Sequence, residues 1–218
     1  MQQGNLTMFT ADRFGNSNSA LSLNGGWTFV PAGVFFNTPE FSVTCWIYPS
    51  QIGAWSRLFD FGNGPNLDNI GISFSKGWSL LPYAWIFQTT NSLPEPVSSF
   101  SLRENVWQFL SLTFNSSHLS IFIDGHLSVS KLSLLPTLTS PPLIRTSNYI
   151  GKSNWVQDGF SYSYLDDLKF YNISLSESQI NDVMQSNISR TACVNVNKNF
   201  GGNNCNLMCF HFNKLFYF

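Results

Sequence analysis

The sequence predicts an all-β sandwich followed by one short C-terminal helix, and three observations predict it. Short apolar runs recur along the chain, separated by Gly, Asn, Pro and Ser, the pattern of many short strands joined by turns. An Asp-Gly pair at Asp124-Gly125 separates two alternating runs; it favours the type I′ turn of an antiparallel hairpin, in which both central residues take positive φ. Aromatic residues make up 16% of the chain against 11% charged, a balance that argues for a folded, aromatic-rich core and against disorder. A length of 218 residues suits one large β domain.

Taken in order, Ala20-Leu21-Ser22-Leu23 ends at Asn24-Gly25-Gly26, and Trp27 to Val30 ends at Pro31. From Phe41 to Tyr48 the alternation puts Phe41, Val43, Cys45 and Ile47 on one face and Ser42, Thr44, Trp46 and Tyr48 on the other, because successive strand side chains point to opposite faces. Only one of those faces needs to be core, and Cys45 reads as a small buried hydrophobe. Arg57 to Phe61, Asn69 to Ser73 and Ala84 to Gln88 continue the series, after which the Pro-containing stretch Ser92 to Phe100 reads as a loop. A meander follows: Trp107 to Phe114, a turn at Asn115-Ser116-Ser117, Leu119 to Ile123, the Asp124-Gly125 turn, and His126 to Lys131. Antiparallel pairing brings Leu119, Ile121 and Ile123 to the core together.

Beyond the Pro136 to Pro142 loop lie Asn148 to Gly151 and Tyr164 to Tyr171, the latter with imperfect alternation. Ser176 and Gln179 stand at the spacing of a capping box, and Ile180, Val183 and Met184 give the helix that follows an apolar side.

The segments Asp12 to Gly25 (DRFGNSNSALSLNG), Phe41 to Pro49 (FSVTCWIYP), Tyr149-Ile150-Gly151 and Tyr164 to Asn172 (YLDDLKFYN), with Leu175-Ser176, resemble in their order the laminin G-like branch of the concanavalin A-like lectin/glucanase superfamily. Ile123-Asp124-Gly125 also sits where that family places its hairpin. The resemblance runs from about Asp12 to Met184 and implies a jelly roll of two antiparallel sheets. It assigns 1–188 to the sandwich and 189–218 to a Cys-containing tail. That tail resembles the beginning of a cysteine-rich extracellular repeat, the alternative being a gene-model artefact. The family opens with a further strand and an Asp-Gly-Asn-rich loop, whereas only eleven residues precede Asp12 here. The expectation is therefore an N-terminally truncated fragment, short of one edge strand.

Glucanase members of that superfamily use paired carboxylates about 5 Å apart in retaining enzymes. Glu40, Glu95, Glu104 and Glu177 are far apart, and no Glu-x-Asp-x-x-Glu pattern occurs. Asp166 and Asp167 are adjacent, so a regular strand sends them to opposite faces. The expected role is thus non-catalytic: recognition of carbohydrate or an extracellular protein partner, with a structural spacer or an accessory domain of a glycosidase or protease as alternatives. Trp55, Trp78, Trp85 and Trp155 fall in or near loops and are candidate sugar-stacking platforms. Asp166 and Asp167, joined by Asp12 and Asn16, are candidate calcium ligands, since hard cations take carboxylate and carbonyl oxygens.

The formal net charge of −1, with Lys and Arg scattered, gives no basis for binding nucleic acid. No stretch approaches the roughly 20 apolar residues that span a bilayer, and Met1 to Thr10 lacks the features of a signal peptide. Sequons at Asn5, Asn115, Asn172 and Asn187 suit an extracellular or cell-surface location within a longer protein, although chance yields about as many in a chain this rich in Asn, Ser and Thr. Cys193, Cys205 and Cys209 crowd the tail and are candidate disulfide partners.

Overall fold

The computed structural model describes residues 7–88, 91–92, 95–133, 142–186, 208–211 and 214–215. In chain order the strands are β1 (Met8–Thr10), β2 (Ala20–Ser22), β3 (Thr28–Val30), β4 (Gly33–Val34), β5 (Glu40–Gln51), β6 (Arg57–Gly62), β7 (Ile70–Ser73), β8 (Tyr83–Gln88) and β9 (Asn91–Ser92). They continue with β10 (Gln108–Asn115), β11 (His118–Ile123), β12 (His126–Leu132), β13 (Ile144–Arg145), β14 (Ser147–Ile150) and β15 (Tyr162–Tyr171). Helix α1 (Glu177–Gln185) follows, then β16 (Met208–His211) and β17 (Lys214–Leu215).

Two antiparallel sheets face each other, as the jelly-roll expectation requires. Sheet one runs β1-β2-β15-β5-β10-β11-β12, with β16 pairing β15 and β17, and sheet two runs β3-β14-β6-β7-β8-β9. The long strand β5 sits centrally in sheet one because its alternation is uninterrupted: Phe41, Val43 and Cys45 stand opposite Phe114, Leu112 and Leu110 of β10. These β10 residues in turn meet Leu119, Ile121 and Ile123 of β11. All of these side chains join one buried cluster with Phe59, Phe61, Ile70, Ile72, Ala84 and Ile86 of sheet two. The β11–β12 turn has φ of 50° at Asp124 and 80° at Gly125, the paired positive values a type I′ turn demands.

The outer face of sheet one is not simply solvated. Phe109, Phe122, Tyr171, Leu175 and Ile180 form a second buried cluster against which Trp46, Val183 and Met184 pack. Helix α1 is laid on that face by its N-terminus: the capping box forms with Ser176 Oγ accepting from Gln179 N at 3.3 Å and Gln179 Oε1 accepting from Ser176 N at 2.8 Å. A Cβ at Gly125, whose φ is 80°, would stand 2.1 Å from Asn181 Oδ1, so a larger residue there would strain the turn and displace the Asn181 side chain of the helix. Among the described residues no helix is long and apolar enough to cross a membrane.

Three features lie outside the sequence reading. A short strand ahead of Asp12 joins the edge of sheet one: Met8, Phe9 and Thr10 pair with Ser22, Leu21 and Ala20. A run that short has too little periodicity to stand out. Within the tail, β16 pairs with β15 at Lys169 and Phe170. The third is a bulge in β15, where Asp166 faces Trp46 but the next paired residue, Lys169, faces Thr44.

Candidate functional site

The outward face of sheet two carries the chemistry. Cross-strand partners share a face, and the register links Phe29 to Tyr149, Tyr149 to Asp60, Asp60 to Gly71 and Gly71 to Trp85. This row crosses five strands on the side opposite the core-facing Phe59, Phe61, Ile70 and Ile72. Gly71 is required by the indole lying across it, because a Cβ there would stand 2.2 Å from Trp85 Cζ2 and 2.6 Å from the Phe59 carbonyl oxygen. Asp60, fully buried mid-row, accepts from Asn69 Nδ2 at 2.9 Å and Asn154 N at 2.8 Å. Burial pushes its carboxyl above the ordinary range, partly opposed by those donors and by Arg57.

At one end of the row Arg57 projects outward from β6 at 2% exposure. Its Nη2 lies 2.5 Å from Asp158 Oδ2, and its Nη1 donates to Tyr83 Oη at 2.6 Å. The guanidinium carbon is 4.4 Å from the Trp85 ring centre, 5.5 Å from Tyr83, 5.8 Å from Trp155 and 5.9 Å from Trp55. A planar, weakly hydrated cation suits such stacking better than an ammonium would. Asp158 also accepts from Ser153 Oγ at 2.7 Å, and the same Oγ accepts from Trp155 N at 3.0 Å. The 153–158 segment is thereby tied to the sheet and Trp155 is held in place. Trp55 has a φ of 58°, an unusual conformation for so bulky a residue, and its ring lies over Gly77.

The four tryptophans singled out in the sequence therefore fare differently. Trp55 and Trp155 are half-buried beside Arg57. Trp78 is 83% exposed on the loop that carries Gly77, whereas Trp85 is 1% exposed and forms a floor under the Arg57 guanidinium. Arg57, Tyr83 and Asp158 were not foreseen. Arg57 had a signal, a charge at the start of an apolar run, but its partner is 101 residues away.

A family model described as the concanavalin A-like lectin/glucanases superfamily matches residues 21–181. The chain belongs to this superfamily. Domain 4 of AbnA, a GH43 extracellular arabinanase from Geobacillus stearothermophilus whose structure was determined with arabinotriose, is similar at a TM-score of 0.66 and 20% identity, over 84% of this chain and 82% of that one. The binding domain of Paraclostridial Mosquitocidal Protein 1 is similar at 0.59 and 14% identity, over 84% and 46%. Trypanosoma rangeli sialidase is similar at 0.58 and 17% identity, over 90% and 30%. This chain thus spans under half of the latter two. At these identities the likeness is one of fold. No curated protein sequence matches the chain.

Glucanase chemistry in this superfamily needs paired carboxylates. Here Glu95 binds Lys76 Nζ at 2.7 Å, Glu104 accepts from Ile52 N at 2.7 Å, and Glu40 and Glu177 begin β5 and α1. Asp166 and Asp167 do act on one side, contrary to the expectation from regular alternation, because Asp167 takes a φ of 51° within the bulge. Both meet Arg13, Asp166 through Nη1 and Asp167 through Nη2 at 2.8 Å. Asp12 closes the 12–16 loop instead, its Oδ1 accepting from Phe14 N at 2.9 Å and Asn16 N at 2.8 Å, and its Oδ2 from Asn16 Nδ2 at 2.9 Å. A guanidinium thus stands among the carboxylates proposed for calcium, and the oxygens of Asp12 are turned to the loop. As folded, this set does not fit a calcium ion, which takes six to eight oxygens.

That cluster gives a pH-dependent prediction. Burial, then the charge of Asp167, raise the Asp166 carboxyl above its ordinary value, while Arg13 opposes them. A carboxyl raised in the folded state favours folding most when protonated, so its contribution falls as pH climbs from about 4 through the native titration. Arg13→Met removes the opposing cation. It is expected to cost about 2 kcal/mol at pH 7 and clearly less at pH 4.5, read by urea melts at both. Asp167 keeps Lys169 Nζ at 3.8 Å, which limits the loss. Equal losses at the two pH values would contradict this account.

Of the sequon asparagines, Asn115 is exposed at the end of β10, with Oδ1 accepting from Ser117 N and His118 N, and Asn172 is half-buried after β15. Asn5, Asn187, Cys193 and Cys205 lie outside the described residues, as does the side chain of Cys209. Cys45 is a free, buried thiol, raised well above its ordinary pKa chiefly by burial.

Proposed function

We propose that this domain is a non-catalytic carbohydrate-recognition module of a longer extracellular or surface protein. Sugar binds where Trp55 and Trp155 gather around the Arg57 end of sheet two, with the exposed Trp78 following Gly77, over which the Trp55 ring lies. The observation that carries the reading is the fixing of Trp55 and Trp155 about a buried, charge-paired arginine. Rings held before the ligand arrives lose little entropy on binding, and indole faces suit the apolar faces of sugar rings. The arabinotriose complex of the similarly folded arabinanase domain supports a sugar ligand, although fold alone does not choose one.

A glycan array probed with the isolated domain, with calcium and with a chelator, tests the proposal. Binding to at least one class of oligosaccharide is expected in both conditions, given the arrangement around Arg13. Trp78→Ala, which removes an exposed ring, is expected to weaken that binding about tenfold without changing the melting temperature. An array silent under both conditions would favour recognition of a protein partner or a spacer role.

A further inference from the structure

A second group of aromatic rings lies at the opposite end of the same face, around a lysine that has no carboxylate partner among the described residues. Trp27 and Tyr149 meet edge to face with ring centres 5.4 Å apart, and Phe29 lies 5.9 Å from Tyr149. Lys152 Nζ stands 4.5 Å from the Trp27 ring centre and 4.5 Å from that of Tyr149. Trp27, Tyr149 and Lys152 are half-buried, each keeping part of its surface in solvent. Arg13, Arg57 and Lys76 each have a carboxylate partner, but among the described residues no Asp or Glu pairs with Lys152. The acid nearest in the sheet row, Asp60, is fully buried and held by Asn154 and Asn69. The corner therefore offers an ammonium, held over ring faces and open to an incoming anion, beside flat apolar surface.

From this we infer that Trp27, Tyr149 and Lys152 form a subsite for a carboxylate-bearing sugar residue, of uronic-acid or sialic-acid type. The ammonium pairs with the carboxylate while a neighbouring ring takes the apolar face of the sugar. The combination selects against two simpler ligands, since a neutral sugar gains nothing from the charge and a small inorganic anion gains nothing from the rings. A charge-assisted hydrogen bond at a partly desolvated site is stronger than a neutral one, so the lysine sets preference as well as affinity. The inference rests on the carbohydrate reading above and places an acidic residue of the same chain at the other end of the face.

Calorimetric titration with trigalacturonate and with 3′-sialyllactose, each beside a neutral counterpart (the methyl ester and lactose), tests it. At low salt at least one acidic ligand is expected to bind about tenfold or more tightly than its counterpart, with the advantage shrinking as NaCl is added. Which acid binds identifies the source of the carboxylate. Lys152→Met is expected to abolish the preference with the melting temperature unchanged, and Lys152→Arg to keep it. Equal binding of acidic and neutral partners, or an unaltered preference in Lys152→Met, overturns the inference while leaving the tryptophan site standing. An array on which the wild-type domain binds no sugar at all overturns both.

Discussion

Phe61→Ala is expected to destabilise the domain by about 3–5 kcal/mol, the cost of deleting a fully buried phenyl ring and leaving a cavity behind. Phe61 is wholly inaccessible to solvent and stands at the junction of the two sheets. Its ring centre is 5.1 Å from Phe35, 5.3 Å from Phe59, 5.7 Å from Phe170 and 5.9 Å from Phe36. Phe170 belongs to sheet one, so the loss is felt across the interface and not within one sheet. Phe36 approaches from a backbone with φ of 54°, a conformation that costs energy for a bulky residue and is retained where packing repays it: its ring also meets Phe41 at 4.8 Å. Phe61→Leu keeps most of the volume and should recover more than half of the loss. Urea melts of the two variants give the comparison, and a cost below about 1 kcal/mol for alanine would mean that the neighbouring rings collapse into the space.

How far the sequence carried depends on how local each determinant is. The alternation of Phe41 to Ile47 and of Leu119 to Ile123, the Asp124-Gly125 turn and the Ser176–Gln179 box are set by residues within a few positions of each other, and all are found where the pattern puts them. Two-residue pairings such as Ile144–Arg145 with Gly33–Val34 leave no such pattern. Strand alternation also failed at Asp166–Asp167, because a bulge is dictated by the partner strand and by Arg13, 153 residues away. The outer face of β5 looked optional for the core and is covered by α1, a contact between distant segments.

The candidate site divides in the same way. Tryptophans are conspicuous, so Trp55 and Trp155 were named from sequence, but composition cannot separate a platform from a floor, and Trp85 is the floor. Gly71 had a legible signal, a glycine inside a strand, which marks close approach of another group. What that group is depends on Trp85 in the adjacent strand.

Arg57→Met should be comparably damaging, at about 3–5 kcal/mol, for a different reason. A buried ion pair contributes little net stability, but deleting one partner strands the other charge without water. Asp158 would keep Ser153 Oγ as a donor and lose the guanidinium at 2.5 Å. Tyr83, whose hydroxyl is already shifted upward in pKa mainly by burial with Arg57 opposing, would lose its donor as well. Asp158→Asn alone leaves a cation enclosed by Trp55, Tyr83, Trp85 and Trp155, and its aromatic contacts make this the milder change, about 2 kcal/mol. The double variant Arg57→Met with Asp158→Asn removes both charges and should cost less than Arg57→Met alone. Coupling of at least 1 kcal/mol in this cycle, from urea melts at pH 7, would establish the pair as a unit. Purely additive losses would show that Arg57 acts through its packing against the rings. The two outcomes separate again in sugar binding: if the ion pair positions Trp155 by anchoring the 153–158 segment, Asp158→Asn weakens binding although every ring is still present, whereas packing alone would leave binding intact.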